Sequence, residues 1–152
     1  MIEVVKKVAK MIPEILDISV RNNPKRHGEV KVYDCLEKRL GNDWTVYYSV
    51  AWLGKVFISG DRRDGETDFI IANPKYGIII AEVKGGEKIE YDGTLGKWYS
   101  LSKKGEKNTI KDPYIQAKDN KFYLLTEIKS WRGWERGIGN VNFCHIAIFP
   151  GV

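Results

Sequence analysis

Asp68, Glu82 and Lys84 have the residue types and the spacing to do chemistry. Two apolar runs, Asp68-Phe69-Ile70-Ile71-Ala72 and Gly77-Ile78-Ile79-Ile80-Ala81-Glu82-Val83-Lys84, flank a turn at Asn73-Pro74-Lys75-Tyr76. They read as a hairpin of central strands, apolar on both faces. A turn centred on Lys75 sets Asp68 opposite Glu82, Ile70 opposite Ile80 and Ala72 opposite Ile78. Alternation along a strand puts Lys84 on the same face. Carboxylates so placed have Cβ atoms roughly 5 Å apart and repel each other. Among Ile and Ala, an unpaired carboxylate costs still more. A divalent cation between the two resolves the conflict, because hard cations take carboxylate oxygens. Lys84 lies about 7 Å further along the strand. From there it reaches the edge of such a site, where it can orient or help deprotonate a water and offset charge on a phosphate. The inference depends on register, since a one-residue slip moves Asp68 to the other face. The bland alternative is a strand end whose charged pair merely solvates the tip.

Two more residues extend the set. In a helix starting near Gly28, Glu29 continues the face of Val32, Tyr33, Leu36 and Leu40, which is the buried side. A first-turn acid that only complements the helix dipole explains its position at the terminus, not its place on the apolar face. Gln116 falls in the first turn of a helix opened by Asp112-Pro113 and is followed by Lys118 and Lys121. A Gln there could hydrogen-bond a phosphate or a water, or simply face solvent. His27 stands beside Lys25 and Arg26 in a basic loop that could touch a phosphate, although a surface His is the plainer reading. The tryptophans, Trp131 and Trp134 included, read as packing rather than base-stacking residues.

The elements that position these residues follow from pattern. Apolar spacing over residues 2–16 predicts a helix, interrupted or restarted at Pro13. A basic loop, residues 21–28, leads to a helix over residues 29–40, stopped by Gly41-Asn42. Residues 44–52 read as a strand, with a short one possible at Val56-Phe57-Ile58. After the central hairpin, residues 88–91 and 98–101 form a smaller hairpin. Asp112 caps the Pro113 helix, which runs to about Lys129, and residues 141–149 form a last strand. The core order is α-β-β-β-α-β, an α/β sandwich with helices flanking a mixed central sheet.

Composition sets the frame. The 152 residues are 43% apolar and 30% charged, enough for one domain with a real core. No apolar run approaches the ~20 residues of a membrane span, so no membrane partner is expected. Lys6, Lys7 and Lys10 break up any signal-peptide core. Cys35 and Cys144 are far apart in apolar-patterned segments and read as buried free thiols, which points to the cytoplasm. The net charge is +5, and the excess lies in the flanks. Residues 1–27 hold six basic and three acidic side chains, residues 28–84 eight and nine, residues 85–152 eleven and eight. A basic rim around an acidic centre suits a site that grips phosphates and holds a cation, as against a surface with merely more Lys than Glu. No Walker-type loop, dinucleotide-binding Gly pattern, zinc spacing or nucleophile elbow is present.

The segments His27-Gly28-Glu29, Gly65-Glu66-Thr67-Asp68, Ile80-Ala81-Glu82-Val83-Lys84-Gly85-Gly86 and Asp112-Pro113-Tyr114-Ile115-Gln116-Ala117, with Trp98-Tyr99-Ser100 ahead of the last, together resemble the NERD (nuclease-related) domain. That family belongs to the PD-(D/E)xK nuclease superfamily. The resemblance covers roughly residues 27–149. It implies a restriction-endonuclease-like core, with Glu29, Asp68, Glu82, Lys84 and Gln116 as the active-site set and Mg²⁺ or Mn²⁺ as cofactor. The Pro of the superfamily name is absent, since Glu66-Thr67 precedes Asp68.

The expectation is therefore a metal-dependent phosphodiesterase acting on DNA, with RNA left open. Asp68, Glu82 and Glu29 would hold the metal. Lys25, Arg26, His27, Lys118 and Lys121 would hold the nucleic-acid backbone through sequence-independent contacts. Residues 1–27 read as an N-terminal helix and basic loop and residues 28–152 as the nuclease-related domain. They form one domain overall, cut from a longer protein, with a helicase domain in the full-length chain implied by the family. The rival expectation is a non-catalytic nucleic-acid-binding or docking module with a relict site.

Overall fold

The structure is a computed structural model and describes residues 8–55, 62–130 and 141–151. Its main sheet has five strands in the order β1-β2-β3-β4-β8. They are β1 (Lys10–Ile12), β2 (Thr45–Lys55), β3 (Arg62–Asn73), β4 (Gly77–Val83) and β8 (Phe143–Ile148). β1 runs parallel to β2, β2-β3-β4 form an antiparallel meander, and β8 runs parallel to β4, so the sheet is mixed. A second sheet, inserted between β4 and the last helix, consists of β5 (Lys88–Asp92), β6 (Lys97–Leu101) and β7 (Lys107–Ile110). The helices are α1 (Ile18–Arg21), α2 (His27–Arg39) and α3 (Pro113–Lys129), with a single 3-10 turn at Pro24–Arg26.

Side-chain alternation divides the central strands between two layers. Val46 and Tyr48 of β2, Phe69 and Ile71 of β3, and Ala81 and Val83 of β4 join Val30, Val32 and Tyr33 of α2 in one buried cluster. Tyr33 anchors that layer. Its ring meets Tyr48 edge-on at 6.2 Å, and its hydroxyl donates to Pro13 O at 2.7 Å. The residues between them, Ile70, Ile80 and Glu82, are buried on the opposite face, where α3 lies over β4 and β8 with Ala117, Asn120 and Ile128 inward. Helices thus cover the sheet on both faces, the α/β core that the apolar strand pattern predicts.

The hairpin register is the one read from the sequence, with Ile70 opposite Ile80 and Ala72 opposite Ile78. α3 begins as expected, with Asp112 Oδ1 accepting from the Tyr114 and Ile115 N–H groups and Pro113 first in the helix. Other expectations are corrected. The helical spacing over residues 2–16 does not give a helix at Lys10–Ile12, which is the edge strand β1. Met11 is buried in it, opposite Val46 in the parallel ladder. The basic loop is shorter than expected, because Pro24–Arg26 forms the 3-10 turn and His27 already begins α2. Cys35 and Cys144 are free thiols, as expected, but exposed rather than buried: α2 and the edge strand β8 turn them to solvent. The strand expected at residues 56–58 and the tryptophans Trp131 and Trp134 lie outside the described residues. β7 went unpredicted, since Lys107-Asn108-Thr109-Ile110 has only one apolar residue and is held by pairing with β6. Among the described residues no helix is long and apolar enough to cross a membrane.

Candidate active site

Asp68 sits where two ladders break. Pairing of β2 with β3 skips the step between Tyr48↔Phe69 and Val50↔Thr67, which is the Ser49–Asp68 position. Ser49 there has a φ of 54°, a left-handed backbone that few non-glycine residues adopt. Pairing of β3 with β4 ends at Phe69↔Ala81, one step short of Asp68. The next free β4 donor, Val83 N–H, is taken instead by the Asp68 side chain, with Oδ2 at 2.7 Å. The strands part at this point and a cleft of about 470 Å³ opens.

Asp68, Glu82, Glu29 and Gln116 all line that cleft, as do Arg26, Glu66, Lys111 and Asp119. Glu29 arrives from the other layer. α2 brings it in by its N-terminus, which crosses close above the loop after β4. A Cβ built on Gly28 would stand 3.2 Å from Gly85 Cα and 3.2 Å from Pro150 Cγ, tighter than ordinary van der Waals contact. A glycine at 28 lets the helix start approach the strand end that carries Glu82 and Lys84.

Glu82 is the most buried carboxylate of the site, 3% exposed. Lys84 Nζ donates to its Oε1 at 2.6 Å, and Asn120 Nδ2 approaches Oε2 at 3.5 Å. Burial pushes the Glu82 carboxyl above its ordinary value, against the opposing pull of Lys84. Asp68 is pushed up to about 7, first by burial and then by the charge of Glu82. That repulsion is the one the hairpin register predicts for facing carboxylates.

A second network lies at the mouth of the cleft. Tyr48 OH donates to Glu29 Oε2 at 2.6 Å and accepts from Arg26 Nη1 at 2.8 Å. Arg26 also bridges to Glu29 Oε2 at 3.0 Å and to Glu66 Oε1 at 3.3 Å, and Ser49 Oγ donates to the same Glu66 oxygen at 2.6 Å. Burial and the bond to Glu29 push the Tyr48 hydroxyl up to about 12. The bond to Tyr48 raises the Arg26 guanidinium above its ordinary value. Arg26, expected to contact nucleic acid, is thus engaged inside the protein. Lys25, His27 and Lys118 are exposed and Lys121 half-buried. Lys118 and Lys121 both lower the basicity of His145 on β8, after burial as the first cause.

The oxygens present suit a hard divalent cation, which takes carboxylate and amide oxygens and water. Two observations support the fit. Asp68 and Glu82 repel each other across the strands, and Gln116 Oε1 is a buried side-chain oxygen with no hydrogen-bond partner. Among the described residues, no three His, Cys, Asp or Glu side chains already stand arranged as ligands of one ion.

Residues 24–150 match the family model described as the nuclease-related domain, NERD. The chain belongs to this family. Comparisons with curated proteins and with solved structures give no match. Nuclease-like domains of this kind typically use divalent metals, and the NERD fold here places Asp68 and Glu82 in one cleft between α2, β4 and α3, while Lys84 does not line the cleft and meets it only through its bond to Glu82. Sequence reasoning missed Tyr48, Glu66 and Asn120 in this NERD domain. Glu66 was legible in principle, two residues before Asp68 and on its face by alternation. Asn120 lies one helical turn beyond Gln116, also on its face. Tyr48 carried no signal, because a tyrosine in an aromatic strand reads as core.

Proposed function

We propose that this NERD domain hydrolyses phosphodiester bonds in DNA with Mg²⁺ or Mn²⁺ as cofactor. The observation that carries the reading is the pair of half-buried Asp68 and buried Glu82, like charges on adjacent strands with Lys84 at 2.6 Å from one of them. When bound, a divalent cation supplies Lewis-acid polarisation of the phosphate and a more acidic water. Asp68 and Glu82 would hold it, and Glu29 would support it directly or through a water. Lys84 moves between holding Glu82 in the free protein and steering the attacking water and the developing phosphate charge during reaction. Gln116 Oε1, buried and without a hydrogen-bond partner, would accept from a water or help position the phosphate. Lys25, Lys118 and Lys121 hold the backbone around the cleft by charge alone. We place the domain in the cytoplasm beside a helicase domain of the same full-length chain. That reading is supported by the family resemblance and the two free thiols.

A second reading, a nucleic-acid-binding module with a relict site, is favoured by one observation. Arg26 and Lys84 already neutralise Glu29 and Glu82. The two readings separate in a cleavage assay with Mg²⁺ or Mn²⁺ on labelled single-stranded, double-stranded and branched DNA, run with wild type and Asp68→Asn. Cutting by wild type that Asp68→Asn abolishes supports the nuclease. No cutting of any substrate by wild type supports the binding module.

A further inference from the structure

The small sheet carries an aromatic cluster that the cleft does not use. Trp98 of β6 is its centre. Its ring stacks on Phe149 with centroids 6.2 Å apart and planes 12° apart, and lies 4.9 Å from Tyr91 and 5.7 Å from Tyr114. Trp98 Nε1–H donates to Asp112 Oδ2 at 3.1 Å, while the other oxygen of that carboxylate caps the first turn of α3. One side chain therefore ties the aromatic cluster to the turn that presents Gln116 to the cleft. Tyr114 is 49% exposed and Tyr91 55%. Lys111, the residue before the cap, lines the cleft and has no ion pair among the described residues. Arg26, the other cation lining the cleft, is bound to Glu29 and Glu66.

A half-exposed ring on a rigid frame offers a π face, and any nucleobase can stack on it. In a duplex the base faces are covered by their neighbours, so only an unpaired strand can deliver one. Lys111, at the cleft and without an ion pair among the described residues, supplies the counter-charge for the backbone of that strand. We infer that the strand entering the cleft is single-stranded there, with a base stacked on Tyr114 and a phosphate further along the same strand held by Lys111. This rests on the cleft being the phosphate-binding site, but not on its cutting anything. Tyr114 and Gln116 are two residues apart and face opposite flanks of α3, which is roughly 10 Å across.

The test is binding without metal. Fluorescence anisotropy in chelator compares a short labelled oligothymidylate with a blunt duplex of the same length. Wild type should prefer the single strand. Tyr114→Leu, which keeps apolar packing on Trp98 but removes the π face, should weaken single-strand binding roughly 5- to 150-fold, the equivalent of about 1–3 kcal/mol. It should leave duplex binding and the salt slope unchanged. Tyr114→Phe should bind as wild type, and Lys111→Ala should reduce the single-strand salt slope by about 0.7. Unchanged melting temperatures establish that the variants fold. Equal affinity of wild type for both substrates, binding of neither, or undiminished single-strand binding by Tyr114→Leu overturns the inference. Wild type that binds the single strand in this way but never cuts refutes the nuclease reading and leaves this one standing.

Discussion

Lys84 Nζ lies 2.6 Å from Glu82 Oε1, two residues back along the same chain, so the most buried carboxylate of the cleft is held by the cation to which the proposed function assigns the attacking water. In the free protein the ammonium compensates the desolvated Glu82. Removing it leaves a buried, unpaired carboxylate, which costs about 1–3 kcal/mol. Lys84→Ala is therefore expected to lower the melting temperature in chelator. Lower pH, which protonates Glu82, or added Mn²⁺ should recover it. Melting curves at two pH values with and without metal check this, and a variant as stable as wild type in chelator at pH 8 contradicts it.

Asp68 makes the metal-free protein acid-loving. Its carboxyl titrates at about 7 in the fold against 3.8 as an ordinary aspartate. The folded state keeps a proton that the unfolded chain has already lost. The stability from this group is complete below about pH 4 and is lost as pH rises through about 7, an effect of roughly 4 kcal/mol at ~1.36 kcal/mol per unit. The melting temperature in chelator should fall across that window, and Asp68→Asn should flatten the fall and be the more stable protein at pH 8. A wild-type profile equally flat would show that neither burial nor the charge of Glu82 raises the Asp68 carboxyl in the fold.

The central hairpin was legible because its chemistry and its packing point the same way. Ile70, Ile80, Ala72 and Ile78 demand burial, the turn fixes their register, and the register then brings Asp68 to Glu82. What could not be read was set by contacts distant in sequence. Lys10–Ile12 has helical spacing, but a parallel ladder with Thr45–Tyr47 outweighs so short a periodicity. Arg26 reads as a phosphate ligand because a loop cation is usually free. Its capture by Tyr48, Glu29 and Glu66 depends on three elements meeting. The position of Asp68 in a broken ladder is likewise invisible, since the break follows from the left-handed Ser49.

Tyr48 tests that second network. Its hydroxyl donates to Glu29 and accepts from Arg26, with the ring buried between Tyr33 and Phe69. Tyr48→Phe keeps the packing and removes two charge-assisted hydrogen bonds, leaving Arg26 paired with Glu29 and Glu66, so it should cost about 1–3 kcal/mol in urea unfolding. Arg26→Ala in the Tyr48→Phe background should then cost less than in wild type, because the two changes remove one shared interaction. Strictly additive effects would contradict the network.

Salt dependence separates engaged cations from free ones. Three to five phosphate contacts on duplex DNA imply a log–log slope of about −2.7 to −4.5, at about −0.9 each. Lys118→Ala should reduce that slope by about one unit, while Arg26→Ala, already paired inside the protein, should leave it unchanged. Binding that does not vary between low and moderate salt would remove the basic rim from the account.

The central claim is that Asp68, Glu82 and Lys84 form one phosphodiesterase site, and single-turnover cleavage with saturating Mn²⁺ tests it most directly. Wild type should cut labelled DNA, with Asp68→Asn reducing the rate to background and Lys84→Ala lowering it by about 10²-fold or more. Lys84→Ala should do so at a metal concentration that restores its melting temperature to that of wild type. Cleavage by Lys84→Ala at the wild-type rate, or no cleavage by wild type under any of these conditions, would contradict it.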